Sequence, residues 1–179
     1  MRAAYQGGAP GVFISGLVWL AADAARYIWG GPYAFGALFI GGMLIVPLAM
    51  LIARLFRAPK VSKGNPLNPL GFELTFPLFA GLFIAYGLLR LSPDLIDLAF
   101  AAFATIIGAR YFGFATLYRE RFYWLLGMAL FLIGIGFAAS GFLAADGARL
   151  PIHVTLAVGS AELLFAALLF TRWNAAAAT

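Results

Sequence analysis

The chain contains no cysteine and a single histidine, His153. The first absence excludes a disulfide framework, thiolate metal sites and a cysteine nucleophile. The second removes the basis for a multi-histidine zinc or haem site within this chain alone, so no metal site is assigned. Charge is scarce as well: 11% of the 179 residues are Asp, Glu, Lys or Arg, against about 25% in ordinary soluble domains. No nucleotide-binding loop, zinc-protease motif or nucleophile elbow occurs. No Ser–His pair falls at matching depth, so no catalytic residue is assigned, and an enzyme is the weaker reading. Any long polar segment is also missing. The sequence reads as one membrane domain over residues 1–179.

What is present is apolar. Hydrophobic residues make up 64% of the chain and the mean hydropathy is +0.95, whereas soluble domains run near 45–50% apolar. A single soluble core of this size cannot hide that surplus, so the solvent must be lipid. The 21 glycines and 18 phenylalanines suit helices packed closely in a bilayer, where small residues let backbones approach. A β-barrel would alternate apolar and polar side chains, and the runs here are continuous. The expected fold is therefore all-α, a polytopic bundle of six transmembrane helices.

The spans fall near residues 11–29, 33–55, 70–91, 95–118, 122–144 and 151–170, each close to the ~20 residues needed to cross hydrocarbon. Ala22-Asp23-Ala24 resembles a signal-peptide cleavage site, but the first apolar run is long for that and reads as a retained span. Gly41-Gly42 and Pro47 loosen the second span. Asn68 and Pro69 suit the cap and first position of the third helix, and Ser92-Pro93-Asp94 turns the chain into the fourth. Arg119-Glu120-Arg121 makes a very tight connection into the fifth, and Asp146 to Arg149 a short loop before the sixth. The alanine-rich tail from Asn174 carries no functional signal.

The basic residues sort by side. One side receives Arg2, Arg54, Arg57, Lys60, Lys63, Arg119, Arg121 and Arg172, with Glu120 as its acid; the other receives Arg26, Arg90 and Arg149 against Asp23, Asp94, Asp97 and Asp146. That asymmetry places both termini in the cytoplasm. It also explains the net charge of +5 without nucleic acid as a partner. Tyr27, Trp29 and Tyr33 fit the outer interfacial belt, and Tyr118, Tyr123, Trp124 and Trp173 the inner one.

Charges inside the spans are the candidate site, because such residues are costly and face a partner or cavity rather than lipid. Arg110 lies roughly 12 Å, and Glu162 roughly 15 Å, from the inner interface at 1.5 Å per residue. At similar depth, the two are expected to pair between the fourth and sixth helices. Glu73, nearer the inner surface, is a competing partner, and Tyr111 a further lining residue. Read functionally, these residues form a polar pocket or ion path opening inward. Arginine suits an anion or carboxylate, and a midplane glutamate suits proton coupling because burial penalises its charged form. Read structurally, the pair pins helix packing and transports nothing, and Glu73 merely favours a helix start.

At the outer end Trp19, Asp23 and Arg26 share one helical face, with His153 on the same side. A metal or proton relay there requires His153 and Asp23 to converge; otherwise this is a solvated helix end with a local salt bridge. Small-residue pairs recur at Ala104/Gly108, Ala109/Gly113, Gly136/Ser140 and Ala157/Ala161, permitting close helix contact within the bundle or between protomers. The phenylalanines, Phe13, Phe35, Phe39, Phe79 and Phe83 among them, read as lipid-facing or core filler rather than a pigment or quinone box, and no cofactor is named. Glu73-Leu74-Thr75-Phe76 matches Glu162-Leu163-Leu164-Phe165 weakly as an internal repeat.

The stretch Gly108-Ala109-Arg110-Tyr111-Phe112-Gly113-Phe114-Ala115-Thr116-Leu117-Tyr118, continuing through Arg121-Phe122-Tyr123-Trp124, resembles an uncharacterised family of small bacterial multi-span membrane proteins, a domain of unknown function. Ser15-Gly16-Leu17-Val18-Trp19 and Gly64-Asn65-Pro66-Leu67 share the resemblance, which covers most of the chain. It implies a bundle in the bacterial inner membrane and brings no activity to any residue. Two functions stay open: a binding or interaction protein, as accessory subunit or self-associating bundle, and a small transporter or channel for an anion or proton-coupled solute using Arg110, Glu162 and Glu73. The expected partners are the lipid bilayer and a homo-oligomer or larger membrane complex.

Overall fold

The computed structural model describes residues 8–56, 73, 76–92, 95–143 and 153–177. Among them six helices follow in order: α1 (Ala9–Trp29), α2 (Gly31–Leu55), α3 (Phe76–Leu91), α4 (Ile96–Tyr118), α5 (Phe122–Leu143) and α6 (Val154–Ala177). Five of them, all but α3, are long and apolar enough to cross a membrane. Within α3 the described apolar stretch is the shorter Leu78–Leu91. The basic loop after Arg54, the Asn68–Pro69 helix start, the Asp94 cap and the Asp146–Arg149 loop lie outside the described residues.

The helix ends follow from local chemistry. Gly8 precedes α1 at φ +84°, with a proline in the first two helical positions, where its missing N–H costs nothing. A single residue, Gly30, joins α1 to α2. Its φ of +98° is open only to glycine at low cost, and its N–H returns to the Arg26 carbonyl at 3.0 Å. The turn between α4 and α5 reverses the chain without a glycine, since Arg119 itself sits in the left-handed region at φ 52°, ψ 40°. The following N–H, of Glu120, closes on the Ala115 carbonyl at 3.2 Å, satisfying an orphan carbonyl at the helix end. Glu120 then accepts the Phe122 N–H at 3.4 Å through its side chain, and its carbonyl accepts Tyr123 N–H. One acidic residue thus caps the start of α5.

Packing organises around α4, which meets α3, α5 and α6, while α1 lies between α2 and α6. The α4–α5 contact is a backbone approach. A Cβ on Gly108 would meet the Phe131 amide and the Gly127 carbonyl, and one on Gly134 would meet the Thr105 amide and the Ala101 carbonyl. The α1–α6 contact repeats the device: a Cβ on Gly16 would lie 3.1 Å from the Gly159 carbonyl, and one on Gly159 3.0 Å from the Gly16 carbonyl. Trp19, 1% exposed, seats α1 on α4 against Phe100 and Phe103. By contrast α2 buries only Ala34, Leu38 and Ala53 and presents Ile40, Met43, Val46 and Leu51 outward.

Candidate functional site

The α1–α6 seam carries the polar residues. Ser15, Trp19 and Asp23 follow at four-residue steps on α1, and Thr155 and Glu162 at seven on α6, so each set shares one helical face. Gly16 and Gly159 bring the two faces together in antiparallel register. Ser15 therefore meets Glu162, and Asp23 meets Thr155.

Glu162 is fully buried. The Tyr111 hydroxyl of α4 donates to its Oε1 at 2.8 Å, and the buried Ser15 hydroxyl faces the same carboxylate from α1. Its other oxygen, Oε2, has no hydrogen-bond partner among the described residues. Arg110, one residue from Tyr111, takes a different course. Its guanidinium lies over the Phe114 ring, 4.8 Å from the centroid. It is within electrostatic range of Glu162, Tyr111 and Tyr118, closes no ion pair with Glu162, and leaves its buried Nε without a partner among the described residues. Adjacent residues diverge by about 100° around a helix, so a helix that aims Tyr111 at α6 cannot aim Arg110 there as well. The expected direct Arg110–Glu162 pair is thus replaced by Tyr111–Glu162, with Arg110 beside it. Glu73 is exposed and joins neither.

From Tyr111 an aromatic wall runs toward the Glu120 end of the bundle. Tyr111 and Tyr123 stack at 5.8 Å and 16°, Tyr118 adjoins Tyr123 at 5.5 Å, and Phe114 meets all three tyrosines. Tyr123 is 1% exposed and its hydroxyl sits against Gly8, where a side chain would collide with it. The wall ends at Glu120, itself buried, whose Oε1 is 3.4 Å from Arg172 Nη1. Arg172 also covers the Phe122 ring at 4.5 Å.

At the opposite end, the outer-face candidates converge. His153 Nδ1 lies 3.1 Å from Asp23 Oδ1, and the Thr155 hydroxyl donates to the same oxygen at 2.6 Å. Arg26 does not pair locally with Asp23; it reaches Asp97 at the start of α4. The residues that three and four positions of one helix were expected to link instead tie α1 to α6 and α1 to α4. Among the described residues no three metal-ligating side chains converge.

Sequence reasoning passed over Ser15, Thr155, Tyr123 and Glu120 as site residues. The only signals for the first two were their spacings to Asp23 and Glu162. Glu120 reads from the sequence as the acid of a tight turn because two arginines flank it.

One family model covers residues 1–172, and its description is a family of unknown function. No curated protein and no solved structure matches the chain.

Proposed function

The chain belongs to that family, DUF7010, and we propose from its own residues that it is a small transporter of the bacterial inner membrane whose exchangeable group is the Glu162 carboxyl. Five membrane-length apolar helices and the outward apolar face of α2 support lipid as its solvent. The sorting of basic residues supports both termini on the cytoplasmic side, which makes the Glu120 end the inner one and the Asp23 end the outer one.

The observation that carries the reading is a pair of buried polar atoms with no hydrogen-bond partner among the described residues, Glu162 Oε2 and Arg110 Nε. A purely structural ion pair would close on itself, since each buried unsatisfied polar group costs about 1–3 kcal/mol. Here an acceptor and a donor, at neighbouring places in the core, are left for something else to satisfy. A proton on the carboxyl turns Glu162 into a donor and removes its charge. A small polar solute or water can engage Arg110, whose fork favours oxygen acceptors.

Purified protein in liposomes with an internal pH dye tests this. Under a potassium diffusion potential the wild type takes up protons faster than protein-free vesicles. Glu162→Gln lowers that excess by about a hundredfold, the scale on which a positioned acid–base group acts. A wild type no faster than empty vesicles overturns transport and returns the protein to the second reading, a self-associating bundle or accessory subunit in which the same polar centre holds the helices together.

A further inference from the structure

Resting on the reading of Glu162 as an exchangeable group, we infer that in this conformation, closed toward the Asp23 end, its proton comes and goes along Tyr111, Tyr123 and Glu120, and that net transport follows when the Trp19–Val158 seam opens. Every step of that series is built from buried groups. Tyr111 Oη already donates to Glu162 Oε1 at 2.8 Å. The Tyr111 ring stacks nearly parallel on that of Tyr123, while the Tyr123 hydroxyl lies at Gly8, toward the Glu120 end of the bundle, so water bridges the span between the two hydroxyls in the series. The Tyr123 hydroxyl is within electrostatic range of both buried carboxylates, Glu162 and Glu120, as well as Tyr118. Glu120 is 6% exposed and meets the basic surface through Arg172. The series therefore runs from a carboxylate at the bundle's end to one in its core.

Among the described residues the opposite direction offers no comparable series. Between Ser15 and Asp23 the seam is closed by Trp19, 1% exposed, and Val158, fully buried, and by the Gly16–Gly159 backbone contact backed by Leu20 and Leu163. Neither apolar side chain nor closely packed backbone relays a proton.

The transfer balances without oxidation. A proton arriving at Glu120 passes to the Tyr123 oxygen as Tyr123 releases its own. With a bridging water where two hydroxyls are out of direct reach, the next passes to Tyr111, which delivers its own proton to Glu162. One O–H bond breaks and one forms at each phenol oxygen, Glu162 gains the proton that Glu120 gave up, and each hydroxyl then rotates back to its starting direction. The other charged groups facing the series are Arg110, beside Tyr111 and Tyr118, and Arg172, on Glu120. The proton settles on a carboxyl because a carboxylate is a far stronger base than a neutral phenol.

Hydrogen–deuterium exchange of the carboxyl, followed by infrared spectroscopy of protein in nanodiscs, tests the route. The band is assigned by its loss in Glu162→Gln and followed at a pH where it stands at full height. Tyr123→Phe is expected to slow exchange about a hundredfold while leaving the band position and the melting temperature unchanged, which a merely structural hydroxyl would not do. Tyr111→Phe shifts the band itself, because it removes the direct hydrogen bond. Glu120→Gln, which keeps an acceptor for the Phe122 N–H, slows exchange as Tyr123→Phe does, and Tyr86→Phe on the exposed face of α3 leaves it at the wild-type rate. Wild-type exchange rates in both Tyr123→Phe and Glu120→Gln overturn the route and leave Glu162 as an exchangeable group. A wild-type carboxyl that never exchanges overturns the transport reading and the route with it.

Discussion

A hydrogen bond between two buried side chains is made where water cannot replace it, and Tyr111–Glu162 is such a bond. Its removal leaves the Glu162 carboxylate with the Ser15 hydroxyl alone, beside an Oε2 without a partner among the described residues, so the cost of Tyr111→Phe includes the lost buried bond. Arg110 touches a ring rather than the carboxylate, and its stem contributes packing. Double-mutant cycles on unfolding free energy in mixed micelles separate the two. Tyr111→Phe with Glu162→Gln is expected to show a coupling of about 1–3 kcal/mol, and Arg110→Gln with Glu162→Gln about 0.5 kcal/mol or less. A larger coupling for the arginine would restore the direct ion pair that counting along the sequence suggested. That counting succeeds in one coordinate and fails in another. Distance along a helix follows from 1.5 Å per residue, so the shared level of Arg110, Tyr111 and Glu162 was legible. The direction each side chain takes around its helix depends on which face meets which neighbour, and no single residue announces that. Hence Tyr111 is legible as a lining residue, while the bond it makes looks from the sequence as if it belonged to Arg110.

Helix contacts show the same limit one level up. The pattern of two small residues four apart marks Ala104/Gly108 and Gly136/Ser140 alike, yet they occupy opposite situations. Gly108 abuts the backbone of α5 at Phe131 and Gly127, whereas nothing lies within 4 Å of a Cβ on Gly136. A backbone amide cannot step aside as a side chain can. Gly108→Ala should therefore destabilise by about 1–3 kcal/mol, and Gly136→Ala should stabilise by roughly 0.5–1 kcal/mol by restricting the unfolded chain. Thermal unfolding of the two variants in detergent measures both signs. A tolerated Gly108→Ala would mean that α4 and α5 do not touch as described. Of the other close contacts, Gly127 on α5 and Gly16 on α1 carry no such mark, because their small partners stand on another helix, whereas Gly134 precedes Ala138 by four residues and Gly159 follows Thr155 by four. The helices themselves were legible to within two or three residues at most described ends, since apolar length and Gly or Pro punctuation are local properties. Arg119 is the exception among the turns: its left-handed backbone has no glycine to signal it.

At the scale of the bundle, nine of the described polar residues fall at three successive levels: Asp23, His153 and Thr155 at one end, Ser15, Tyr111 and Glu162 within, and Tyr123, Glu120 and Arg172 at the other. Apolar packing at Trp19 and Val158 separates the first from the second, while the tyrosine wall joins the second to the third. Among the described residues the core carboxyl is therefore joined by polar groups toward one end, and that end carries Arg54, Arg119, Arg121 and Arg172. If those residues hold that end in the cytoplasm, Glu162 communicates inward. The absence of cysteine makes the orientation directly measurable, because any introduced thiol is the sole target of a maleimide. Tyr27 is 87% exposed at the end of α1, and Arg121 is exposed at the start of α5. With an impermeant maleimide on intact bacterial cells, Tyr27→Cys should label at once and Arg121→Cys only after the membrane is permeabilised. The reverse result would turn the bundle over and make Glu162 answer to the outside, and equal labelling of both in intact cells would remove the membrane orientation on which the inward route depends.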